Sequence, residues 1–448
     1  MTEGPVLPLL LSFAVPILIG NAFQQLYNIV DTVVIGNVMG DEALAALGAT
    51  SAVYSLVVGF IAGMGNGFSV VLARAFGSGD RKRLSLAVIG TAILAVALAI
   101  LLTGISLAFL RPLLRFLGTP AEILPVSDAY MRIILLFSCV TVLYNTVSGM
   151  LRAIGNSLTP LIALIIGSLL NVALDRLFVG RFHMGVQGAA YATVLAQAAA
   201  AAISLMYIIR SCPELQLRRD CGLPNQTMIL DLLSTGSSMA LMLVLTNIGT
   251  VAMQGAVNSF GVKMITGHTA ARKIHDLFML PFGTICTSAA TFVSQNYGAR
   301  KPDRVKSGVK LSLLLGTIWS LITLSAVLLF GKTAIRLLTG TQSAEVIDTA
   351  YRYLIWNVPF YAVLNVLLVM RNSVQGLGRK IVPMTASMIE LLGKFAAAFL
   401  LAPAMGYLGV CLIEPITWLA TVPVVGIAFM TAIRKLSQEQ KALVTHEI

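Results

Sequence analysis

Long apolar runs alternate with short polar breaks along the whole chain. Runs such as 84–110 and 311–330 carry almost no charge, as crossing a hydrocarbon core of roughly 30 Å demands of a helix. Breaks marked by Gly, Pro and charge clusters predict helices over 6–36, 42–76, 83–110, 126–151, 158–180 and 186–210. After a polar connector at 211–225 come 228–260, 264–297, 305–330, 346–371, 381–403 and 408–433. Alternation with period two is absent, which excludes a β-barrel.

The pattern repeats itself. Val71-Leu-Ala-Arg-Ala-Phe76-Gly77, followed by Asp80 and Arg83, has a counterpart 221 positions later in Phe292-Val-Ser-Gln-Asn-Tyr297-Gly298, followed by Lys301 and Arg304. Leu26-Tyr-Asn28-Ile29 is answered by Leu245-Thr-Asn247-Ile248, Met39-Gly40 by Phe260-Gly261, and Gly155 with Pro160 by Gly378 with Pro383. An apolar chain that repeats once predicts two copies of one membrane unit, an arrangement found in transporters whose binding site lies where the halves meet. The expected fold is all-α and polytopic, with twelve transmembrane helices in two parallel six-helix lobes related by pseudo-twofold symmetry. The expected domains are an N-terminal lobe (1–210), a connector (211–225), a C-terminal lobe (226–433) and a tail (434–448).

Composition agrees: 57% of residues are hydrophobic and 11% charged, against roughly 25% charged in soluble domains. The net charge of +12 does not point to nucleic acid, because Lys and Arg sit between apolar runs. They cluster at alternate breaks (Arg81 to Arg83, Arg152, Arg210 to Arg219, Arg300 to Lys306, Arg379 with Lys380, Arg434 with Lys435). The positive-inside rule then places both termini in the cytoplasm of a multi-pass inner-membrane protein. The first residues carry no basic n-region, so no cleaved signal peptide is expected. Five scattered cysteines form no metal or redox motif.

Polar residues inside spans are costly, so each is a functional candidate. Helix 1 carries Gln24, Tyr27, Asn28 and Asp31 at spacings that share one face. Helix 5 carries Asn171 and Asp175 one turn apart, and helix 6 carries Thr193 and Gln197. Counted from the predicted outer helix ends, Asp31, Asp175 and Thr193 all lie about 7–12 Å deep at 1.5 Å per residue. Two carboxylates, an amide and a hydroxyl at one level can cage a small hard cation or share a proton. Interhelical hydrogen bonding is the plainer role for Asn28, Asn145, Thr193 and Gln197. Glu390 and Lys394, four apart on helix 11, are expected to neutralise each other. Glu390 and Glu414 have substrate contact as their sharper reading, and Arg371 is an alternative partner for either. The four histidines form no recognisable motif, and Lys394 is the clearest cation within a span.

Several stretches resemble the multidrug and toxic compound extrusion (MATE) family, in the branch with an N-lobe cation site. They are Phe23-Gln-Gln-Leu-Tyr-Asn-Ile-Val-Asp31-Thr, Ala45-Ala-Leu-Gly48, Arg152-Ala-Ile-Gly155-Asn-Ser-Leu-Thr-Pro160, Asn171-Val-Ala-Leu-Asp175 and Gly185-Val-Gln-Gly188-Ala-Ala-Tyr-Ala-Thr193. Ala256-Val-Asn-Ser-Phe-Gly261 and Phe292-Val-Ser-Gln-Asn-Tyr-Gly298 match in the second half, so the resemblance runs from about residue 5 to 433. It implies export of amphipathic, often cationic compounds by alternating access, in exchange for H⁺ or Na⁺. It implies coupling at Asp31, Asn171, Asp175 and Thr193, which would also be the metal ligands if the ion is Na⁺. The acidic residue that other members carry on helix 7 is absent here, where Thr250 stands near the counterpart of Asp31. Arg176, directly after Asp175, keeps H⁺ coupling open.

Gln24, Tyr27, Asn28, Asn145, Gln197, Glu390 and Glu414 are the candidate substrate contacts. The expected partners are small amphipathic molecules and membrane lipid, with no nucleic acid, and the chain is expected to act as a monomer. No cofactor is expected beyond H⁺ or Na⁺. A flippase for lipid-linked precursors, of the same fold group, is the alternative, and would require a basic cavity. No P-loop, H-E-x-x-H or nucleophile elbow occurs, so an enzyme is not expected.

Overall fold

The computed structural model describes residues 1–216 and 222–446, apart from the side chains at 28–35, 37–39, 41–44, 441 and 443–446. Nearly all of it is helix. Helices α1 and α2 are the two arms of Val6–Gly77, separated by a break at Gly40. They are followed by α3 (Arg81–Phe116), α4 (Leu124–Leu136 and Ser138–Ala153), α5 (Leu158–Asp175, extended by a π-type turn Arg176–Arg181) and α6 (Gly185–Ser211). The second half comprises α7 (Gln226–Asn258), α8 (Val262–Gly298), α9 (Pro302–Thr339), α10 (Ala344–Asn357 and Tyr361–Gly376, joined by a 3₁₀ turn), α11 (Ile381–Met405) and α12 (Tyr407–His446). Among the described residues, eleven helices are long and apolar enough to cross a membrane. Counting α4, bent by 48°, as one span gives twelve, as the hydropathy pattern predicts. Several helices outrun their expected ends: α3 continues to Phe116, α9 to Thr339 and α12 through the expected tail to His446.

The repeat is written into the backbone as well as the sequence. Residues with positive φ recur in pairs: Gly40 with Gly261, Gly79 with Arg300, Gly118 with Gly340, Gly155 with Gly378, and Gly185 with Gly406. Each pair is separated by 221 to 223 positions. Helix ends need a left-handed residue where the chain reverses, and glycine adopts it without a Cβ penalty.

The chain forms two compact units, Val15–Ala240 and a second made of Leu241–Ile448 together with Met1–Ala14. The division falls inside α7 rather than in the connector, for a packing reason. A Cβ on Gly63 would lie 2.4 Å from the Ala240 Cα, and one on Gly67 would lie 2.4 Å from the Gly236 Cα. Small residues four apart on α2 and α7 thus let two backbones touch, a packing mode that membrane helices favour. Two turns further along α2, Arg74 pairs with Asp231 of α7 at 3.3 Å.

The repeat-related motif of the second half holds residues 1–4. Arg304 donates to the Gly4 carbonyl (2.8 Å) and the Met1 carbonyl (3.1 Å), and Lys301 donates to the Thr2 carbonyl (3.0 Å). Asn296 accepts from the Arg304 Nε at 3.0 Å, and the guanidinium lies 5.7 Å from the centre of the Phe292 ring.

Candidate functional site

In the unit Val15–Ala240, α5 and α6 pack closely at Gly167, where an added Cβ would meet the Ala196 carbonyl at 3.0 Å. That approach brings Asn171 of α5 alongside Thr193 and Gln197 of α6. Together with Gln24, Tyr27 and Tyr144 they line a cavity of about 50 Å³, room for a water-sized guest. Thr193 gives its hydroxyl proton to the Ala189 carbonyl (3.0 Å), so its oxygen lone pairs remain available. Gln197 accepts from Thr141 at 2.8 Å, and Asn145 donates to the Thr141 carbonyl of its own helix at 2.9 Å.

Asn171 is fully buried, and neither its amide oxygen nor its nitrogen has a hydrogen-bond partner among the described residues. A buried amide left this way costs about 1–3 kcal/mol. Its position in the cavity wall gives a guest ligand something to satisfy. Asp175 is buried one turn on, where α5 passes into the π-type turn, a local widening frequent at functional sites. Arg176 is exposed and leaves the site. The structure therefore gathers Gln24, Tyr27, Asn171, Thr193 and Gln197 around one cavity. Asp31 and Asn28 have side chains outside the described residues.

The other unit contains a second polar cluster, which the sequence reading largely missed. His268, Arg272 and His275 lie at i, i+4 and i+7 on one face of α8, with Asp276 beside them. Glu414 of α12 accepts from Arg272 (3.0 Å) and from the Tyr353 hydroxyl (2.5 Å), and the Lys394 ammonium stands 3.6 Å away. Arg272 also donates to the Tyr353 oxygen (3.1 Å) and reaches the exposed Asp276 at 3.9 Å. His275 shares a hydrogen bond with the Tyr361 hydroxyl (2.7 Å), and His268 shares one with that of Tyr407 (3.1 Å).

The expected Glu390–Lys394 pair is not formed. Glu390 accepts from Arg371 at 2.9 Å, leaving Lys394 to Glu414. A planar guanidinium matches a carboxylate better than an ammonium does. Lys394 is also drawn aside, because its stem lies over Gly249, where a Cβ would come within 2.9 Å of its Cδ. Nor is Lys394 alone among cations within spans: Arg272, Lys273 and Arg371 join it, and the two α8 histidines belong to the same cluster. The signal was present in Arg272-Lys-Ile-His-Asp276, with four ionisable residues in five positions of an apolar run.

Comparison with known proteins agrees with this architecture. The MatE family model matches residues 16–177 and 238–400, one block in each half. The chain is 29% identical over 402 residues to the "Probable multidrug resistance protein YpnP" of Bacillus subtilis, covering 87% of this chain and 86% of that protein. It is 21% identical over 341 residues to the "Multidrug export protein MepA" of Staphylococcus aureus, covering 76% and 75%. Among solved structures, a MATE crystal structure in the bent conformation superposes with a TM-score of 0.89 at 21% identity, over 98% of this chain and 97% of that one. A MOP superfamily transporter from Pyrococcus furiosus, described as having a binding pocket of reverse polarity, superposes at 0.88 with 22% identity over 97% of each chain. With the family model matching one block in each half and the fold shared along nearly the whole chain, the chain belongs to the MatE family and is a membrane transporter, not an enzyme.

Proposed function

We propose that the chain exports amphipathic, often cationic drugs and toxins by alternating access, driven by the exchange of H⁺ or Na⁺ in its first half. The observation that carries the coupling site is Asn171, a fully buried amide without a hydrogen-bond partner among the described residues, in a cavity wall shared with Thr193. Asp31 and Asp175 supply the charge. Two carboxylates held in a low-dielectric span favour a bound cation or proton strongly. A cation that binds one lobe arrangement better than the other shifts the balance between them by its difference in affinity, and no further. Loading the site from outside would favour the arrangement with low drug affinity, releasing the drug outward.

Gln24, Tyr27, Asn28, Asn145 and Gln197 are proposed to contact substrate, with Glu390 and Glu414 doing so in the second half. The protein is proposed to work as a monomer in the inner membrane, with both termini cytoplasmic. The lipid-linked flippase reading needs cations free for a pyrophosphate, whereas Arg272 and Lys394 face Glu414, and Arg371 faces Glu390. Export is therefore the better supported reading.

The test is ethidium efflux from cells or inverted vesicles with pH and Na⁺ gradients imposed separately, for wild type, Asp31→Asn and Asp175→Asn. Efflux that follows one gradient and falls at least tenfold in both variants, at equal expression, supports the assignment. Undiminished efflux in Asp31→Asn removes it.

A further inference from the structure

The repeat supplies a register for comparing the two halves site by site. A separation of 223 joins Gly155 to Gly378 and Pro160 to Pro383; along the same helices it joins Asn171 to Lys394 and Asp175 to Ala398. A separation of 221 joins Gly185 to Gly406 and Gly188 to Gly409, and on those helices Thr193 to Glu414. Gly185 and Gly406 share a positive φ, 64° and 61°, which supports that register in the structure. A separation of 219 joins Asn28 to Asn247, and hence Asp31 to Thr250. The four first-half positions Asp31, Asn171, Asp175 and Thr193 thus correspond to Thr250, Lys394, Ala398 and Glu414.

The exchange of chemistry is systematic. The first half places two carboxylates at these positions and no cation. The second half places one carboxylate and one ammonium. Lys394 is buried, with its side chain only 5% exposed. Its stem lies over Gly249, next to Thr250, and its ammonium faces Glu414 at 3.6 Å without a hydrogen bond to any described residue. The groups around it balance to zero: Arg272 and Lys394 against Glu414 and Asp276. Without the lysine the same cluster is one charge negative, with a space where an ammonium stood.

We propose that the second half retains a counterpart of the first-half cation site, and that the Lys394 ammonium is its resident cation. A mobile cation then enters the first half alone, and Lys394 keeps a latent second site filled. The chemical class of ligand for that latent site is a small monovalent cation, alkylammonium or Na⁺. This rests on the first-half reading above only in calling the corresponding positions a cation site.

The probe is methylammonium, the lysine head group without its stem, titrated calorimetrically into purified full-length protein, with Na⁺ as a second titrant. Lys394→Ala should bind one equivalent of methylammonium more than wild type, and Lys394→Ala/Glu414→Gln should lose it. Lys394→Gln, which keeps most of the side-chain volume, serves if the alanine variant is not monodisperse, and should gain Na⁺ binding that depends on Glu414. Equal stoichiometry in wild type and a well-folded Lys394 variant overturns the proposal. So does methylammonium or Na⁺ bound to the wild type that Glu414→Gln removes. Asp31→Asn separates the two readings: if it leaves cation-driven efflux intact, the first-half assignment falls, whereas the Glu414-dependent equivalent stands or falls by itself.

Discussion

Glu414→Gln is the sharpest test of how the second-half cluster is held together. The substitution keeps the shape of the side chain but removes the charge that faces one buried cation, Lys394, and one partly buried cation, Arg272. Arg272 keeps a distant counter-ion, Asp276 at 3.9 Å and exposed. Lys394 keeps none among the described residues, and the Tyr353 hydroxyl trades a charge-assisted acceptor for a neutral one. Removing one partner of a buried pair costs about 3–5 kcal/mol, because the other charge is left uncompensated. For a cooperative unit of a few hundred residues each kcal/mol moves the melting point by roughly 2–4 °C, so a shift of about 6–20 °C is expected. The assay is thermal unfolding in detergent, read by the loss of the monodisperse peak. The double variant Lys394→Met/Glu414→Gln should recover part of the loss, since it removes the stranded ammonium with its partner. A single-variant shift below about 3 °C, or a double variant less stable than Glu414→Gln, would show that the cluster is solvated and its charges are not coupled as described.

Gly67→Leu places side-chain atoms where the α7 backbone lies, since even a Cβ would meet the Gly236 Cα at 2.4 Å. It should abolish the monodisperse species on size exclusion, whereas Gly104→Ala, which meets nothing within 4 Å, should not. Arg304→Ala removes two of the hydrogen bonds that hold Met1–Gly4, so removal of residues 1–3 by an added aminopeptidase should speed up at least tenfold while amide exchange in α9 stays unchanged. Cys212, just beyond α6, is buried, and burial, with Glu214 adding to it, pushes its thiol above the ordinary range. A raised thiol holds less thiolate at neutral pH. In a Cys139→Ser/Cys221→Ser background, maleimide labelling of Cys212 should therefore be slow at pH 7 and accelerate as the pH rises beyond 9; labelling that is fast and flat with pH refutes this.

Much of the fold was legible because a bilayer leaves helices few alternatives. The uncharged run of α3 and the Gly-marked breaks at 155 and 378 each carried a single meaning. The first-half cavity was legible for a related reason: Asn171, Thr193 and Gln197 stand out against apolar neighbours. The pairing in the second half was not, because sequence spacing ranks neighbours within a helix only. Glu390 has Lys394 at the favourable spacing, yet Arg371 on another helix offers a better fork, and Gly249 on a third gives the lysine stem somewhere else to lie. The place where α7 passes from one unit to the other was equally hidden. Polarity marks the connector at 211–225, but backbone contact at Gly236 and Ala240 decides which residues fold together.

The docking of Met1–Gly4 onto Asn296, Lys301 and Arg304 has a consequence for the order of synthesis. Residues 1–4 find these partners only when residue 304 has been made, some 300 codons after them. At about 5–20 residues per second that is a wait of roughly 15–60 s. Throughout that interval residues 1–4 lack these hydrogen bonds. The first unit, whose α2 and α7 contacts are complete once residue 240 has been added, can assemble before residues 1–4 have been fastened down.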